Sequence, residues 1–137
     1  MNESRKALFV TGKRGGFDAM VPTLQHLETC GWNVVVVATD QHLQPEFGYT
    51  FDDVKRQFPR AKALGVSDVQ MSALGRAEAL GVFRQDFPSF LQTMSPDVVL
   101  IYGDRGESLE AAAVCTILGI PIAHFQGGDV TGSVDEQ

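Results

Sequence analysis

The sequence predicts an α/β protein built on an open, doubly wound parallel sheet of the Rossmann-like type, and three observations favour this fold class. Short and almost continuously apolar segments recur along the chain, as is typical of strands covered by helices on both faces. Segments of helical periodicity lie between them, so neighbouring strands are expected to be joined by right-handed crossovers. The 137 residues suit one domain, and a 44% share of hydrophobic residues is enough for a buried core.

Each element of this fold follows from a local pattern. Strands are predicted at residues 7–10, 33–38, 97–102 and 121–125. Another is expected near residues 60–66, where nearby glycines make the pattern weak. Helices are predicted where apolar side chains recur at helical spacing, with glycine stops at positions 31 and 119. Their apolar faces comprise Phe17, Met20, Val21, Leu24 and Leu27 in the first helix, Phe83, Phe87, Phe90 and Leu91 in the second, and Leu109, Ala112, Ala113, Thr116 and Ile117 in the third.

Composition excludes several classes of protein. A net charge of −6 and a pI near 4.9 argue against a nucleic-acid-binding surface, which needs an excess of Lys and Arg. No apolar run approaches the roughly 18 residues of a membrane span, and the amino terminus is interpreted as a first strand, not a signal peptide. Cys30 and Cys115 are expected to be small buried side chains in a reducing, cytoplasmic compartment.

Ligands of such sheets bind beyond the carboxyl ends of the strands, where the strand order reverses. The first predicted strand leads into residues 11–16, TGKRGG, and then into a helix. Glycines admit close backbone approach, a helix start favours an anion, and Lys13 and Arg14 are suited to phosphate. The glycine spacing fits neither a dinucleotide fingerprint nor a P-loop. Taken alone, the pattern is equally typical of a tight turn with solvated basic side chains.

The other predicted strands end in further candidate residues. His42 is suited to proton transfer or substrate contact, although a lone loop histidine is more often solvated. Asp104 stands where a helix begins, so it is a candidate helix cap, a candidate catalytic carboxylate, or both. Residues 124–137 combine a histidine, three carboxylates and three glycines, and residues 135–137 look like the first turn of a helix. Loops favour glycine and aspartate anyway, so this composition alone leaves the interpretation open.

Four motifs together carry a family resemblance. They are VTGKR at residues 10–14, HLQPEFGYT at 42–50, GDR at 103–105 and IAHFQGGDVTGSVDE at 122–136. Their order and spacing resemble the UDP-N-acetylglucosamine 2-epimerase family, specifically its hydrolysing branch, over nearly the whole chain. The resemblance implies two Rossmann-like domains around a cleft, the architecture called GT-B. Residues 1–137 then form the N-terminal domain, and the C-terminal domain, which holds most of the uridine site, is absent.

The resemblance also implies a reaction and its residues. UDP is eliminated from UDP-N-acetylglucosamine, or from a related diacetamido-trideoxy UDP-sugar or GDP-sugar, and the glycal is hydrated to an N-acetylmannosamine-type sugar for sialic-acid-like biosynthesis. No metal or redox cofactor is implied. Carried over by position, the candidate catalytic residues are Asp104, Asp135, Asp129 and Gln126, and the candidate substrate-binding residues are Lys13, Arg14, His42, Arg105, His124 and Glu136.

Three positions depart from the family pattern. Gln126 stands where several members carry a catalytic glutamate, and an amide cannot exchange a proton as a carboxylate does, so Asp129 is the alternative carboxylate. Gly15 and Gly16 replace a small and an acidic residue after the family arginine. Gly106 replaces an aromatic residue after Arg105. Each departure bears on which nucleotide sugar is used.

Two other functions remain open on the sequence. The chain is alternatively a stand-alone, non-catalytic module that binds a nucleotide sugar or a protein partner. A generic flavodoxin-like or receiver domain also fits the strand pattern, but the four motifs count against it. As a lone domain the chain is expected to show little or no turnover, because a cleft enzyme needs both walls to exclude water and align the sugar. Self-association into a homo-oligomer is also expected.

Overall fold

The computed structural model describes residues 3–65, 72–128, 130 and 132. Five strands form a single sheet in the order β3-β2-β1-β4-β5, with every pair parallel. The strands are β1 (Lys6–Thr11), β2 (Asn33–Ala38), β3 (Lys62–Ala63), β4 (Val98–Tyr102) and β5 (Ile122–Phe125), and the helices are α1 (Arg14–Thr29), α2 (Phe51–Gln57), α3 (Ala73–Met94) and α4 (Gly106–Leu118). Two 3₁₀ turns, Asp40–Leu43 and Pro45–Phe47, connect β2 to α2.

β1 lies at the centre of the sheet and defines where a ligand can bind. Leu8 pairs with Val35 of β2 on one side and with Val99 of β4 on the other. The chain therefore builds outwards from β1 in one direction as far as β3 and then continues on the opposite side. This reversal leaves a crevice between the carboxyl ends of β1 and β4, the position at which open α/β sheets bind ligands.

Alternating side chains of the strands feed two separate cores, one on each face of the sheet. Phe9 points to the face covered by α1 and α2, where it meets Phe17, Leu24 and Val54. Leu8 points to the opposite face and packs in a second core, whose helical members come from α3 and α4. These helical members are Phe83, Phe87, Leu91, Ala111, Val114 and Cys115. Both faces of the sheet are covered, which explains why its central strands are apolar without a polar alternation.

The predicted α/β fold is confirmed, with differences in the middle of the chain. The expected strand near residues 60–66 is the two-residue β3, and Val66 lies outside the described residues. α3 begins well before the predicted Phe83 and runs through Gly75 and Gly81. Its start is fixed by Ser72, whose Oγ accepts a hydrogen bond from the backbone N–H of Gly75 at 3.0 Å. α2 and the two 3₁₀ turns were not predicted.

The prediction that both cysteines are buried is half wrong. Cys115 is fully buried, and burial raises the pKa of its thiol to about 11. Cys30 is exposed, because it follows the last turn of α1 at the carboxyl end of that helix. Its Sγ lies 3.6 Å from Nε2 of His26. The apolar residues that precede Cys30 in sequence belong to the buried face of α1, whereas position 30 does not.

None of the helices in the described parts of the chain combines the length and the apolar character that crossing a bilayer requires.

Candidate functional site

The crevice between β1 and β4 encloses about 230 Å³ and collects side chains from three strand ends. We call it the switch-point crevice. Its lining residues are Val10, Thr11, Gly12, Lys13, Gly16, Tyr102, Gly103, Asp104, Arg105, Glu107 and Gln126. Four residues singled out from the sequence, Lys13, Asp104, Arg105 and Gln126, therefore lie around one cavity. Basic groups and a carboxylate in one crevice are what binding and protonating an anionic leaving group require.

The loop after β1 passes so close to α4 that a side chain at position 12 would displace the Glu107 carboxylate. A Cβ built on Gly12 would lie 2.0 Å from Oε1 of Glu107, a carboxylate oxygen that is itself buried. The β1 loop and the first turn of α4 are thus in direct contact across the crevice. This contact with Glu107 explains why the TGKRGG segment has a glycine at position 12.

An ionic cluster that is largely shielded from solvent borders the crevice. The Nε–H of Arg105 donates to Oε1 of Glu107 at 2.7 Å, and its Nη2 donates to Oδ2 of Asp40. Burial raises the pKa of the Glu107 carboxyl above its usual value, and the charge of Arg105 only partly offsets this effect. Burial by itself would lower the pKa of Arg105, but the Glu107 and Asp40 carboxylates hold it above its usual value.

Asp40 and Glu107 were not predicted from the sequence. Each carries a weak local signal, since Asp40 lies two residues after the end of β2 and Glu107 is an acidic residue in the first turn of α4. What makes them part of the site is their shared partner Arg105, which is 65 residues from Asp40 in the chain. Only the fold brings these groups together.

The prediction that Asp104 caps a helix is wrong. The N-cap of α4 is Arg105, whose side chain makes no capping hydrogen bond. The chain turns at Gly103, which has a φ of +78°, and this turn leaves Asp104 one residue ahead of the cap. The Asp104 carboxylate is partly exposed on the rim of the crevice, where it is free of a capping role and accessible to a ligand.

His42 is buried, which contradicts the interpretation of it as a solvated loop histidine. Its Nε2 lies 3.0 Å from Oγ1 of Thr11, and its Nδ1 lies 2.8 Å from Oγ1 of Thr50. The ring of Phe17 meets it edge-on at 6.0 Å. Burial, helped by the charge of Arg105, lowers the pKa of His42 from 6.5 to about 4, so the ring is neutral at pH 7. His42 joins the end of β1 to the start of α2.

The protonation of His42 makes the stability of the chain depend on pH. The unfolded histidine takes up a proton below pH 6.5, whereas the folded one resists protonation until about pH 4. The stability linked to His42 is therefore complete above pH 6.5 and is lost as the pH falls. We expect the free energy of unfolding, measured with urea, to be about 2 kcal/mol lower at pH 5 than at pH 7.5 because of this histidine.

The matched test of this pH dependence uses two histidine variants. His42→Gln keeps a hydrogen-bonding side chain without a titrating ring, so its stability should fall less between pH 7.5 and pH 5. His26→Gln removes a histidine near the carboxyl end of α1, away from the crevice. If His26→Gln flattens the pH dependence as much as His42→Gln does, the assignment to His42 is contradicted.

Arg14 does not line the switch-point crevice. It is 66% exposed and lies at a neighbouring cavity of about 300 Å³, whose wall includes His42. Its Nε is 3.4 Å from Oδ2 of Asp18, and its Nη1 is 3.9 Å from Oδ2 of Asp53. The structure thus separates the two basic residues of the TGKRGG segment, with Lys13 at the crevice and Arg14 beside α2.

His124 and Gln126 shape the loop that follows β5. The Nε2–H of His124 donates to the backbone carbonyl of Gly103 at 2.6 Å, so the β5 end is fastened to the β4 loop. Gln126 has a φ of +55°, in the left-handed region, and lies at the edge of the crevice. The other candidate residues of this segment, Asp129, Asp135 and Glu136, lie outside the described residues.

Two further features of the described residues bear on ligands. An open groove of about 790 Å³ runs between α3 and α4 beside the crevice, and Leu80, Leu109 and Ala112 contribute to its apolar lining. Within the described ranges, no three His, Cys, Asp or Glu side chains are placed to hold a metal ion.

The fold and the position of the crevice define a class of protein. A five-stranded parallel sheet with a crevice at the point where the strand order reverses is a Rossmann-like α/β domain, of the kind from which GT-B enzymes are built. Residues 24–137 match the model of the UDP-N-acetylglucosamine 2-epimerase family, and the chain belongs to that family. The resemblance inferred from the four sequence motifs is confirmed.

Individual relatives agree with this assignment. The chain is 34% identical over 134 residues to UDP-N,N'-diacetylbacillosamine 2-epimerase (hydrolyzing) of Legionella pneumophila, covering 96% of this chain and 36% of that protein. It is 31% identical over 102 residues to GDP/UDP-N,N'-diacetylbacillosamine 2-epimerase (hydrolyzing) of Campylobacter jejuni, covering 74% and 27%. The chain therefore spans about a third of the length of these curated relatives.

A solved structure shows the same fold. The UDP-GlcNAc 2-epimerase of Neisseria meningitidis, bound to UDP-GlcNAc, superposes with a TM-score of 0.68 at 25% identity. The match covers 92% of this chain and 33% of that one.

Proposed function

We propose that this chain forms the N-terminal wall of a hydrolysing nucleotide-sugar 2-epimerase. The observation that carries the proposal is the switch-point crevice, where Lys13 and Arg105 lie around the same cavity as the Asp104 carboxylate. The relatives from Legionella and Campylobacter, both named as hydrolysing enzymes, support that branch of the family. Because both are named for nucleotide-linked N,N'-diacetylbacillosamine, a UDP- or GDP-linked diacetamido sugar is the first substrate to test, with UDP-N-acetylglucosamine second.

The proposed reaction has two steps. In the elimination, a base removes the proton from C2 of the sugar, the C1–O bond breaks, and the nucleoside diphosphate leaves. In the hydration, water supplies a hydroxyl to C1 and a proton to the opposite face of C2, which gives the 2-epimer. The product would be an N-acetylmannosamine-type sugar suited to sialic-acid-like biosynthesis.

The residues around the crevice fit the charges that these steps create. Negative charge grows on the leaving diphosphate, and the cations of Lys13 and Arg105 are positioned to stabilise it. Asp104, partly exposed on the rim, is the carboxylate proposed to move or orient a proton. Gln126 cannot exchange a proton through its amide, so a second acid–base group would have to come from Asp129 or Asp135.

The remaining candidates receive indirect roles. His42 is buried between Thr11 and Thr50, so its proposed effect on substrate binding operates through the position of the β1 end. His124 acts similarly by fastening the β5 loop to Gly103. Arg14 and Glu136 remain proposed substrate contacts, and Arg14 would reach the substrate from the cavity beside α2.

The proposal is tested in a hybrid enzyme. Residues 1–137 replace the matching segment of the Legionella relative, and the hybrid is assayed for release of UDP from UDP-N,N'-diacetylbacillosamine and from UDP-N-acetylglucosamine. We expect turnover by the hybrid with release of the free 2-epimer, and little or none by the 137-residue chain alone, because one wall of a cleft cannot exclude water from the sugar. A folded hybrid that releases no UDP from either sugar contradicts the proposal, and so does catalytic UDP release by the chain alone.

A second candidate function is a non-catalytic module that binds a nucleotide sugar. The amide of Gln126 at the edge of the crevice favours it, because a carboxylate there would suit proton transfer better. Restoring the acid by Gln126→Glu in the hybrid separates the two functions. If the unaltered hybrid is already active, the glutamine does not reflect lost catalysis. If only Gln126→Glu is active, the binding module is favoured. A homo-oligomer containing a second, C-terminal domain is the proposed assembly.

A further inference from the structure

Arg105 presents its two hydrogen-bonding edges to different surroundings. A guanidinium has a side-on edge, formed by Nε–H and one N–H of Nη2, and an end-on edge, formed by Nη1 and the other N–H of Nη2. Glu107 accepts from Nε at 2.7 Å and Asp40 accepts from Nη2, so the two carboxylates bind Arg105 on its Nε–Nη2 side. Nη1 has no acceptor among the residues that the structure describes, and Arg105 lines both the crevice and the open groove beside it. The end-on edge is the pair of donors that suits a phosphate oxygen pair.

Asp40 holds this arrangement from an unusual backbone conformation. Its φ is +51°, in the left-handed region, where glycine is at ease and aspartate or asparagine is the best tolerated alternative. A glycine would fit the local turn without strain. The turn itself does not require the side chain of Asp40. That side chain supplies a carboxylate for Arg105.

Stability does not explain the cluster well. Two carboxylates share one guanidinium, so the group carries an excess negative charge, and the Glu107 side chain is only 4% exposed. Buried ion clusters contribute little net stability, because desolvation offsets the attraction between the charges. The cluster does join three loops, since Asp40 follows β2, Arg105 follows β4, and Glu107 touches the β1 loop at Gly12. Arg105 and Glu107 line the crevice, and Asp40 lines the groove beside it.

We propose that Asp40 and Glu107 are positioning residues that hold the side-on edge of Arg105, so that its end-on edge faces the crevice and binds the diphosphate of the substrate. This inference rests on the proposed function, because it takes a nucleoside diphosphate as the ligand. It adds that the affinity for the anion depends on two nearby carboxylates. Their charges alone would weaken the binding of an anion, so the sign of the effect distinguishes positioning from simple electrostatics.

The experiment uses the 137-residue chain and inorganic pyrophosphate as the probe. The variants are Asp40→Gly, Asp40→Asn and Arg105→Lys, with Glu110→Gln as a matched control that removes one carboxylate of α4 from its 3.0 Å pair with Arg84. Three quantities are measured: the dissociation constant for pyrophosphate, the urea midpoint, and hydrogen exchange at the Nε–H of Arg105 by ¹⁵N NMR. The NMR signal is assigned by its loss in Arg105→Lys.

We expect Asp40→Gly to keep or raise the urea midpoint, because the backbone strain is relieved, and yet to bind pyrophosphate about tenfold more weakly, with faster exchange at Nε. Asp40→Asn should fall between, since its amide oxygen still accepts a hydrogen bond. Glu110→Gln should bind as the unaltered chain does. Equal or tighter binding of pyrophosphate by Asp40→Gly, or unchanged exchange at Nε, overturns the positioning role but not the diphosphate site. An unaltered chain that binds no pyrophosphate contradicts the proposed diphosphate site, and the ligand assigned to Arg105 with it.

Discussion

Replacing Asp104 with asparagine is expected to lower kcat of the hybrid epimerase by about 10²–10⁴-fold, the usual effect of losing a group that transfers a proton. The amide keeps the size and most of the hydrogen bonding of the carboxylate but cannot exchange a proton. Asp104 caps no helix and is partly exposed on the rim of the crevice, so the change should leave the fold intact. Steady-state release of UDP gives kcat, and equilibrium binding of UDP should change little.

The control for Asp104→Asn is Asp86→Asn, which makes the same chemical change at an exposed position of α3. Its kcat and its urea midpoint should match those of the unaltered hybrid. A loss of kcat below about fivefold in Asp104→Asn would exclude a role in proton transfer, for which the expected loss is far larger. A loss of kcat accompanied by a lower urea midpoint would indicate damage to the fold instead.

Replacing Phe87 with alanine is expected to destabilise the chain by about 3–5 kcal/mol, as is typical of a large buried aromatic side chain. Phe87 is fully buried in the core between α3, α4 and the sheet. Its ring stacks on Phe83 with centroids 4.9 Å apart and planes 24° from parallel. Alanine would leave a cavity among other buried side chains of this core, and closely packed interiors relax only in part, so most of the packing loss should appear. Urea unfolding with a fixed slope measures the difference.

Leu74→Ala is the companion variant for Phe87→Ala. Leu74 lies in the same helix but is 70% exposed, so its truncation should change the stability by less than about 0.5 kcal/mol. Equal effects of the two substitutions would contradict the assignment of the loss to the burial of Phe87, because alanine favours the helix at both positions. A drop of less than about 1 kcal/mol in Phe87→Ala would show that this core is not closely packed.

The strands and the buried helix faces were predictable because the spacing of their apolar residues is typical of one kind of element only. β2, for example, consists of four valines between Asn33 and Ala38, and its neighbours cover both faces. α2 escaped prediction because Val54 is its only buried residue, which is too few to make a helical period. The first turns of α3 escaped for another reason, since Gly75 and Gly81 have weak helical preference and packing overrides it.

The candidate site was predictable only in part. Lys13, Asp104 and Arg105 follow strand ends, and a parallel sheet must bring the carboxyl ends of its strands to one edge. The burial of His42 was not predictable, because it depends on two threonines that lie 31 and 8 residues away. The role of Asp40 was hidden for a similar reason, since its partner Arg105 belongs to a distant loop. Local sequence patterns predict which residues lie near the site, whereas contacts between distant loops are known only from the three-dimensional structure.

The two edges of the sheet differ in how readily they can pair with a strand of another molecule. β3 has only two residues, Lys62 and Ala63, and both are exposed. So short an edge, bearing a lysine, offers few backbone groups with which another chain can pair, and it is a common protection against aggregation. β5 is twice as long and carries apolar side chains such as Ile122 and Phe125. Any edge-to-edge aggregation of this chain should therefore begin at β5 and spare β3.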